Sequence, residues 1–591
     1  MMTSSQLTPP QDTEPAIPDN PVNHVRSSRD YRIGIVGCGP RGLYCLQSLA
    51  DQLQQSVALP AISIVIFEPS EFPGAGNVYA PSQPDFLRMN FAAKQIDAWT
   101  RPCPSDSPRL NLVDWLKEHG HAADQPEGYV SRGLVGRYLN DCFQRVVEQL
   151  QRVATVNVLR EAVSCVGRLT DSWQIRTGRT LFNFDDIVLT VGHGHWQDEA
   201  TDTEKQTETT KPAFIPTFPV ERNLTEHCVP PGSDVAVRGF GLTWIDTALA
   251  LTEGRGGEFH RAGNAWTYHA SGREPKCLYP VSRSGRPMLA KPDESLFAPP
   301  QALNEIWMHG KQSLDAITRP ITGQAFKEQL WPVFTDAAAT AVNLCSGTPL
   351  TSQDDVATWF DRWCQSPMNS SVALETMKQS FAVATGQSAP DIAWALGAAW
   401  RNLYPALVRC INYGGLSSEA WPNFRKIAAE MERIAFGPPA ENVGRILALV
   451  DAGLIDLHYL AGSMQLQSNE TTDDEAGPKC LLVNGIATQP VDVAINAVLP
   501  SPQECTTLGP LQSLLDEKTI GRLHGTAAIE VDAAGRPLRN STGVTEGLAI
   551  MGRATEGCVL GNDTLSRTLH DHPQRWAESV IKRIHGVEIL A

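Results

Sequence analysis

Two glycine-rich turns, each entered from a short apolar strand and left into a helical pattern, constrain this chain more than any other feature. The first lies in RIGIVGCGPRGLYCLQSLA (32–50), where Gly37-x-Gly39-x-x-Gly42 follows the apolar run IGIV. At that spacing the first glycine permits a tight turn and the second lets a pyrophosphate approach the backbone. The third lets helix and strand pack closely. The helix opening at Pro40 points free N–H groups and the positive end of its dipole at the same place. A second apolar strand, ISIVIF (62–67), ends in Glu68, an acid placed to accept hydrogen bonds from ribose hydroxyls. Strand, turn, helix, strand and acid in that order predict a dinucleotide-binding unit over 30–200, with Gly37, Gly39, Pro40, Arg41 and Gly42 in its phosphate loop. Arg41 has two readings, a phosphate contact or an exposed residue at a helix start.

The second turn follows VAVR: Gly239-x-Gly241, with Leu242 and Thr243 opening a helical pattern and Trp244 where a third glycine would stand. This degenerate cradle predicts a second dinucleotide unit over 212–300; the alternative is a Rossmann-like repeat that binds nothing. SGREP and YPVSRSGRP follow it. Arg273 and Arg283 stand where an acid would select NAD. Guanidinium groups there pair bidentately with a 2′-phosphate, with Ser282 and Ser284 as added donors, so NADPH is expected over NADH. Surface arginines are the alternative.

Between about 300 and 460 the texture changes. DDVATWFDRWCQ, DIAWALGAAWRNLYPALVRCI and NFRKIAAEMERIAF place apolar residues at three- and four-residue spacing, which predicts a helical insertion over 301–460. Strands return in VDVAINAVLP and GLAIMGRA, so 461–591 is expected to complete the first unit. The fold class is α/β: two Rossmann-like dinucleotide-binding domains with a helical insertion. Residues 1–29 read as a disordered tail without a secretory signal, and 201–211 and 468–478 as polar linkers. A net charge of −16, from 65 acids against 49 bases, argues against a nucleic-acid or anionic-membrane partner. Thirteen cysteines without a C-x-x-C remove the simplest dithiol oxidoreductase and any zinc ribbon. They fit reduced thiols in a cytoplasmic protein.

The segments GIVGCGPRGL, PGAGNVYAP…FLRMNFAAKQIDAW, YVSRGLVGRYL, VRGFGLTWIDTALALTEGRGGEF, SGREP, SRSGRP and GRATEGCVLGNDTLSR span residues 31–577. Together they resemble the FAD/NAD(P)-binding domain family, a branch of the two-dinucleotide-binding-domain flavoproteins. The chain is similar to flavin-containing and amino-acid N-hydroxylating monooxygenases, including nitrosuccinate-forming aspartate N-monooxygenases. The resemblance implies FAD, NADPH and O2. It implies a class B monooxygenase that uses a C4a-hydroperoxyflavin to hydroxylate the nitrogen of a small amine or amino acid, with aspartate among the candidates. An NADPH-dependent flavin reductase or dehydrogenase, or a redox-sensing flavoprotein, would use the same two cradles.

The resemblance also assigns residues. Asn90, in the long excursion after the ribose acid, matches an asparagine beside the flavin and oxygen site, or else caps a turn. Gln95 is a second amide nearby. Gly76 and Met89 belong to the same excursion, in which Gly74 and Gly76 are expected to let the backbone run close to the flavin. Gly192 closes the first unit after DDIVLTV, and Val163 has two readings, adenine contact or core packing. Gly552, Asn562 and Asp563 lie in the closing FAD motif, where helix-terminal donors can meet the flavin. The substrate pocket is expected between the FAD domain and the insertion, with Arg88, Arg401 and Arg409 as chemically suitable carboxylate partners or else structural or surface residues. The local pairs His193/His195 and His570/His572 lack a complete metal-ligand set, so no metal is expected.

Overall fold

The computed structural model describes residues 30–100, 109–121, 128–178, 180–192, 214–292, 300–346, 350–365, 367–467, 479–499, 509–539, 543–562, 565, 567 and 569–586. The expected tail, both polar linkers, Asp563, His193 and His195 lie outside these residues.

The first sheet is parallel and five-stranded. Its strands are β1 (Tyr31–Val36), β2 (Ile62–Phe67), β3 (Thr155–Leu159), β4 (Asp186–Leu189) and β9 (Leu548–Ile550), in the spatial order β9-β4-β1-β2-β3. The inner strands carry unbroken apolar runs because both faces of the sheet are covered. Helices α1 (Pro40–Gln55), α2 (Arg132–Leu150) and α11 (His572–Ile584) contribute to the core on one face, with Ile33, Ile35, Ile64 and Ile66 at its centre. A three-stranded antiparallel sheet, Val163–Arg168, Trp173–Thr177 and Thr180–Phe184, covers the other face, where Trp173, Ile175 and Phe184 meet Val36, Val65 and Phe67.

The second sheet is also parallel. β5 (Ile215–Pro216), β6 (Asp234–Arg238), β7 (Cys277–Val281) and β8 (Val493–Asn496) lie in the order β7-β6-β8-β5. Here the domain boundaries depart from expectation. VDVAINAVLP does not rejoin the first sheet: β8 pairs with β6, Val493 against Val235. The antiparallel strands Ser463–Gln467, Lys479–Asn484 and Ala487–Val491 share a core with β6 and β7 through Cys480, Leu482 and Val491. The first domain therefore resumes near residue 509 rather than 461, and its last strand, β9, pairs with β4. Parallel neighbours need a long crossover. The helical insertion supplies one between β7 and β8, so it belongs to the second domain.

The insertion comprises α4 (Leu303–Asp315), α5 (Trp331–Ser346), α6 (Gln353–Cys364), α7 (Ser370–Ala384), α8 (Ile392–Ile411), α9 (Trp421–Ala435) and α10 (Ala440–Asp451). α8 is its central element and packs on α4, α5 and α9. α10 instead packs into the second-domain core through Val443, Ile446 and Leu449. Among the described residues no helix is long and apolar enough to cross a membrane.

The long excursion after β2 touches both domains. Leu87 is fully buried in the second-domain core, whereas Met89 is buried in the first. The excursion lies against α2, where a Cβ at Gly136 would fall 1.7 Å from the Tyr79 carbonyl oxygen. Gly136→Ala must therefore push this segment off the helix, at a cost of about 1–3 kcal/mol. A lower midpoint of thermal unfolding is expected; an unchanged midpoint would contradict this packing.

Candidate functional site

The first phosphate loop is held by backbone contacts. Gly37 has φ +78°, and its N–H donates to Phe67 O at 2.9 Å. A Cβ on Gly42 would lie 2.6 Å from Gly37 O, the close helix–strand approach expected of a third glycine. Thr190, at the end of β4, locks the turn by donating its hydroxyl to Gly37 O at 2.5 Å. Sequence reasoning missed Thr190; its one signal is a hydroxyl that ends the apolar run DDIVLT. Glu68 is buried and accepts from Cys38 N and from Ser70 N, the latter at 2.8 Å. It therefore braces the phosphate loop from the ribose end.

The cradle fits a pyrophosphate. A Cβ on Gly39 would meet only Gly76 Cα, at 4.0 Å, which leaves an open approach to the backbone. Gly76, with φ +63°, forms the facing wall. α1 begins with no side-chain cap and no acid in its first turn. Its first N–H groups are thus left for an anion. Gly192 has φ +67° and open space where its Cβ would be. Val163 opens its strand, partly buried against the Val36–Phe67 cluster, which favours its packing reading. Gly74 differs from expectation. Its Cβ would lie 2.5 Å from Leu139 O, so the residue serves contact with α2 rather than approach to a ligand.

The closing segment folds over α1. Gly552 follows β9 with φ +89°. Arg41 donates to the carbonyls of Gly561 and Asn562 at 3.2 and 3.1 Å, so it fastens this segment to the phosphate loop. The Asn562 carboxamide donates to Thr555 Oγ1 at 3.0 Å and to Val559 O at 2.7 Å. Its Oδ1 is buried without a hydrogen-bond partner among the described residues. The rings of His570 and His572 lie tilted to one another, 4.9 Å apart, in the same region. Burial pushes His570 down to about 3 and His572 well below its ordinary range, so both rings are neutral at physiological pH.

At the second loop Gly239 has φ +120° and donates its N–H to Val281 O at 2.9 Å. Gly241 caps α3 (Leu242–Ala250), which, like α1, has no side-chain cap and no acid in its first turn. Leu242 is its first residue, followed by Thr243, which is buried. The register of β7 on β6, Val281 against Arg238, brings Ser282, Arg283 and Ser284 to the same sheet edge as this loop. Arg283 is exposed there. Arg273 is elsewhere: it precedes Cys277, which pairs with Asp234 at the opposite end of the strands, and it is ion-paired with Glu226 at 2.7 Å. The expectation that both arginines meet one phosphate fails because the strand before SGREP, Ala265–His269, is half of an antiparallel hairpin with Glu258–Ala262. β7, which begins after SGREP, is the strand beside the loop.

Asn90 is half-buried at the end of the excursion, beside the buried Met89. Its carboxamide has no hydrogen-bond partner among the described residues, whereas its carbonyl accepts from Lys291 Nζ. The Lys291 ammonium also stands 5.0 Å from the centre of the Phe91 ring. Burial, reinforced by the positive charge of Arg401, pulls Lys291 down to about 7. Sequence reasoning missed Lys291 because AKPDE reads as a solvated turn. Gln95 is exposed, and its Oε1 accepts from Ala92 N at 3.2 Å, so its amide is turned onto its own loop.

Of the three candidate arginines, Arg401 lies on α8 near Lys291 and lines a cavity of about 510 Å³ with Trp359, Trp363 and Trp394. It donates to Ala435 O at 2.9 Å. Tyr404, one turn further on α8, faces Gly561 of the closing segment. Arg88 donates to Tyr129 O at 3.5 Å, and Arg409 is ion-paired with Asp315 on the insertion surface at 2.9 Å. The residues lining the cavity all come from the insertion and the 289–292 segment, not from the first domain.

Residues 34–194 match the family model described as FAD-NAD(P)-binding. The chain is 26% identical to an L-aspartate N-monooxygenase (nitrosuccinate-forming) of Streptomyces davaonensis, over 95% of this chain and 94% of the relative. It is 25% identical to the enzyme of the same name from Streptomyces cremeus, over 73% and 75%. Among solved structures it is similar to L-lysine 6-monooxygenase from Pseudomonas syringae, at 12% identity and a TM-score of 0.44, over 94% and 99%.

The placement of the two arginines makes a direct prediction. Arg283→Ala should raise KM for NADPH about 10- to 100-fold and leave that for NADH nearly unchanged, because only the former has a 2′-phosphate to lose. Arg273→Ala should change neither. Steady-state kinetics with both nucleotides checks this, and an equal loss for both nucleotides in Arg283→Ala would count against it.

Proposed function

We propose that this chain is an FAD- and NADPH-dependent monooxygenase that hydroxylates the nitrogen of a small amino acid, with L-aspartate the first candidate. The observation that carries the reading is the 26% identity to an L-aspartate N-monooxygenase along almost the full length of both chains. The two phosphate cradles, and the absence of a C-x-x-C for dithiol chemistry, agree with it. When bound, FAD supplies hydride acceptance from the nicotinamide and activation of O2.

The chain's own residues orient and shield. Gly37, Gly39 and Gly76 admit the pyrophosphate at the start of α1, and Glu68 stands at the ribose end. Thr190 and Arg41 hold the walls of this site from two sides. The open Oδ1 of Asn562 offers an acceptor to a buried N–H or O–H. Gly239, Gly241, Leu242 and Thr243 form the corresponding NADPH loop, with Ser282 and Arg283 toward the 2′-phosphate. Asn90 presents a carboxamide that donates and accepts at once, suited to hold an oxygen species or the retained nicotinamide. The amine to be oxidised must be unprotonated, because only then does its nitrogen have a lone pair. A site next to Lys291 and Arg401 favours that state, since nearby cations depress an ammonium pKa.

An NADPH-oxidation screen across amino acids, with peroxide and N-oxygenated product measured together, tests the reading. Oxidation coupled to product for L-aspartate is expected; peroxide alone with every compound would leave a reductase in its place. Asn90→Ala should retain FAD but raise the peroxide-to-product ratio several-fold. Wild-type coupling in that variant would remove Asn90 from the chemistry.

A further inference from the structure

We propose that Lys291 is the anchor for a carboxylate of an acidic amino-acid substrate, binding it as the ammonium beside Asn90. The inference rests on the monooxygenase reading for the reaction and adds the substrate-recognising group.

Lys291 is only 9% exposed, which is rare for a lysine without an acidic partner. Among the described residues its head group meets the Asn90 carbonyl and the Phe91 ring, and no carboxylate is ion-paired with it. The backbone fixes this direction. Lys291 N–H donates to Pro438 O at 2.8 Å, and Lys291 bridges Pro439 as an extended residue. Side chains alternate along such a segment. Ala290 and Pro292 accordingly line the insertion cavity, while Lys291 turns the other way, to Asn90. The elements packed around it present few charges: Asn90 and Phe91 from the excursion, Pro438 and Pro439 from the turn before α10, and Arg401 from α8. The titratable group acting on Lys291 is thus a second cation.

A buried ammonium in the field of a second cation is costly to keep charged. An amino acid with two carboxylates offsets that cost, whereas a basic amino acid would add to it. The same arrangement makes binding proton-linked. Lys291 in the free enzyme titrates at about 7. A bound carboxylate favours the ammonium and raises that value, so above pH 7 binding takes a proton from solvent. Affinity for the acid therefore falls as pH rises through 7 and beyond, by up to about tenfold per unit.

Calorimetric binding of L-aspartate and L-glutamate to the FAD-loaded enzyme from pH 6 to 9, in buffers of different ionisation enthalpy, tests this. Wild type should show proton uptake on binding and weakening above pH 7. Lys291→Met should bind about 10- to 100-fold more weakly and lose the proton uptake. Lys291→Arg, permanently charged, should retain binding without the pH dependence. FAD absorbance and thermal unfolding verify that each variant is folded; if Lys291→Met fails this control, Lys291→Arg against wild type decides the matter. Wild-type affinity and proton uptake in a folded variant, or no binding of either acid by wild type, would overturn the proposal. Binding with proton uptake but no NADPH-coupled oxygenation would instead count against the monooxygenase reading and leave the anchor standing.

Discussion

The buried ion pair between Arg132 and Asp246, at 2.8 Å, sets the relation between the two nucleotide loops. Arg132 is the first residue of α2 in the first domain, and Asp246 lies on α3, the helix that leaves the second loop. Burial pushes the Asp246 carboxyl up, and the Arg132 guanidinium opposes the shift. Removing one partner would leave a buried charge uncompensated, at a cost of about 3–5 kcal/mol. The same contact region holds Leu87 in the second-domain core and brings Arg132 over the Phe218 ring. The excursion that begins at Phe72 is therefore a structural joint as well as the carrier of Asn90. Its length follows from having to reach both cores.

The insertion gains its place from the same logic. It is the crossover between β7 and β8, and its helix α8 turns toward the first domain. Tyr404 faces Gly561, and the Asn412 side chain accepts from Leu560 N at 2.8 Å. A crossover that merely joined two strands would need about a dozen residues. The additional helices enclose the cavity lined by Arg401, Trp359, Trp363 and Trp394.

What could be read from the chain differed by the range of the interaction. The first phosphate loop, its helix and Glu68 were legible because each depends on neighbours within one strand–turn–helix unit. The return of the strands was misplaced. VDVAINAVLP has the apolar pattern of any buried parallel strand, and nothing local says which of two parallel sheets it will join. Arg273 was misplaced for a related reason. SGREP follows a strand, but that strand belongs to a hairpin, and only the register of β7 on β6 shows which end of the sheet each arginine occupies.

The sequence by itself determined the two glycine-rich turns and the helical character of the insertion. Glycine spacing, hydrophobic period and helix-start chemistry are local properties that a chain displays before it folds. Only the tertiary structure decided that Thr190 locks Gly37, that Arg41 fastens the closing segment, and that Lys291 is buried at Asn90 under the charge of Arg401. Those properties arise from desolvation and from contacts between residues far apart in the chain. A lysine in AKPDE is pulled down to about 7 only when Pro439, Asn90 and α8 have closed around it.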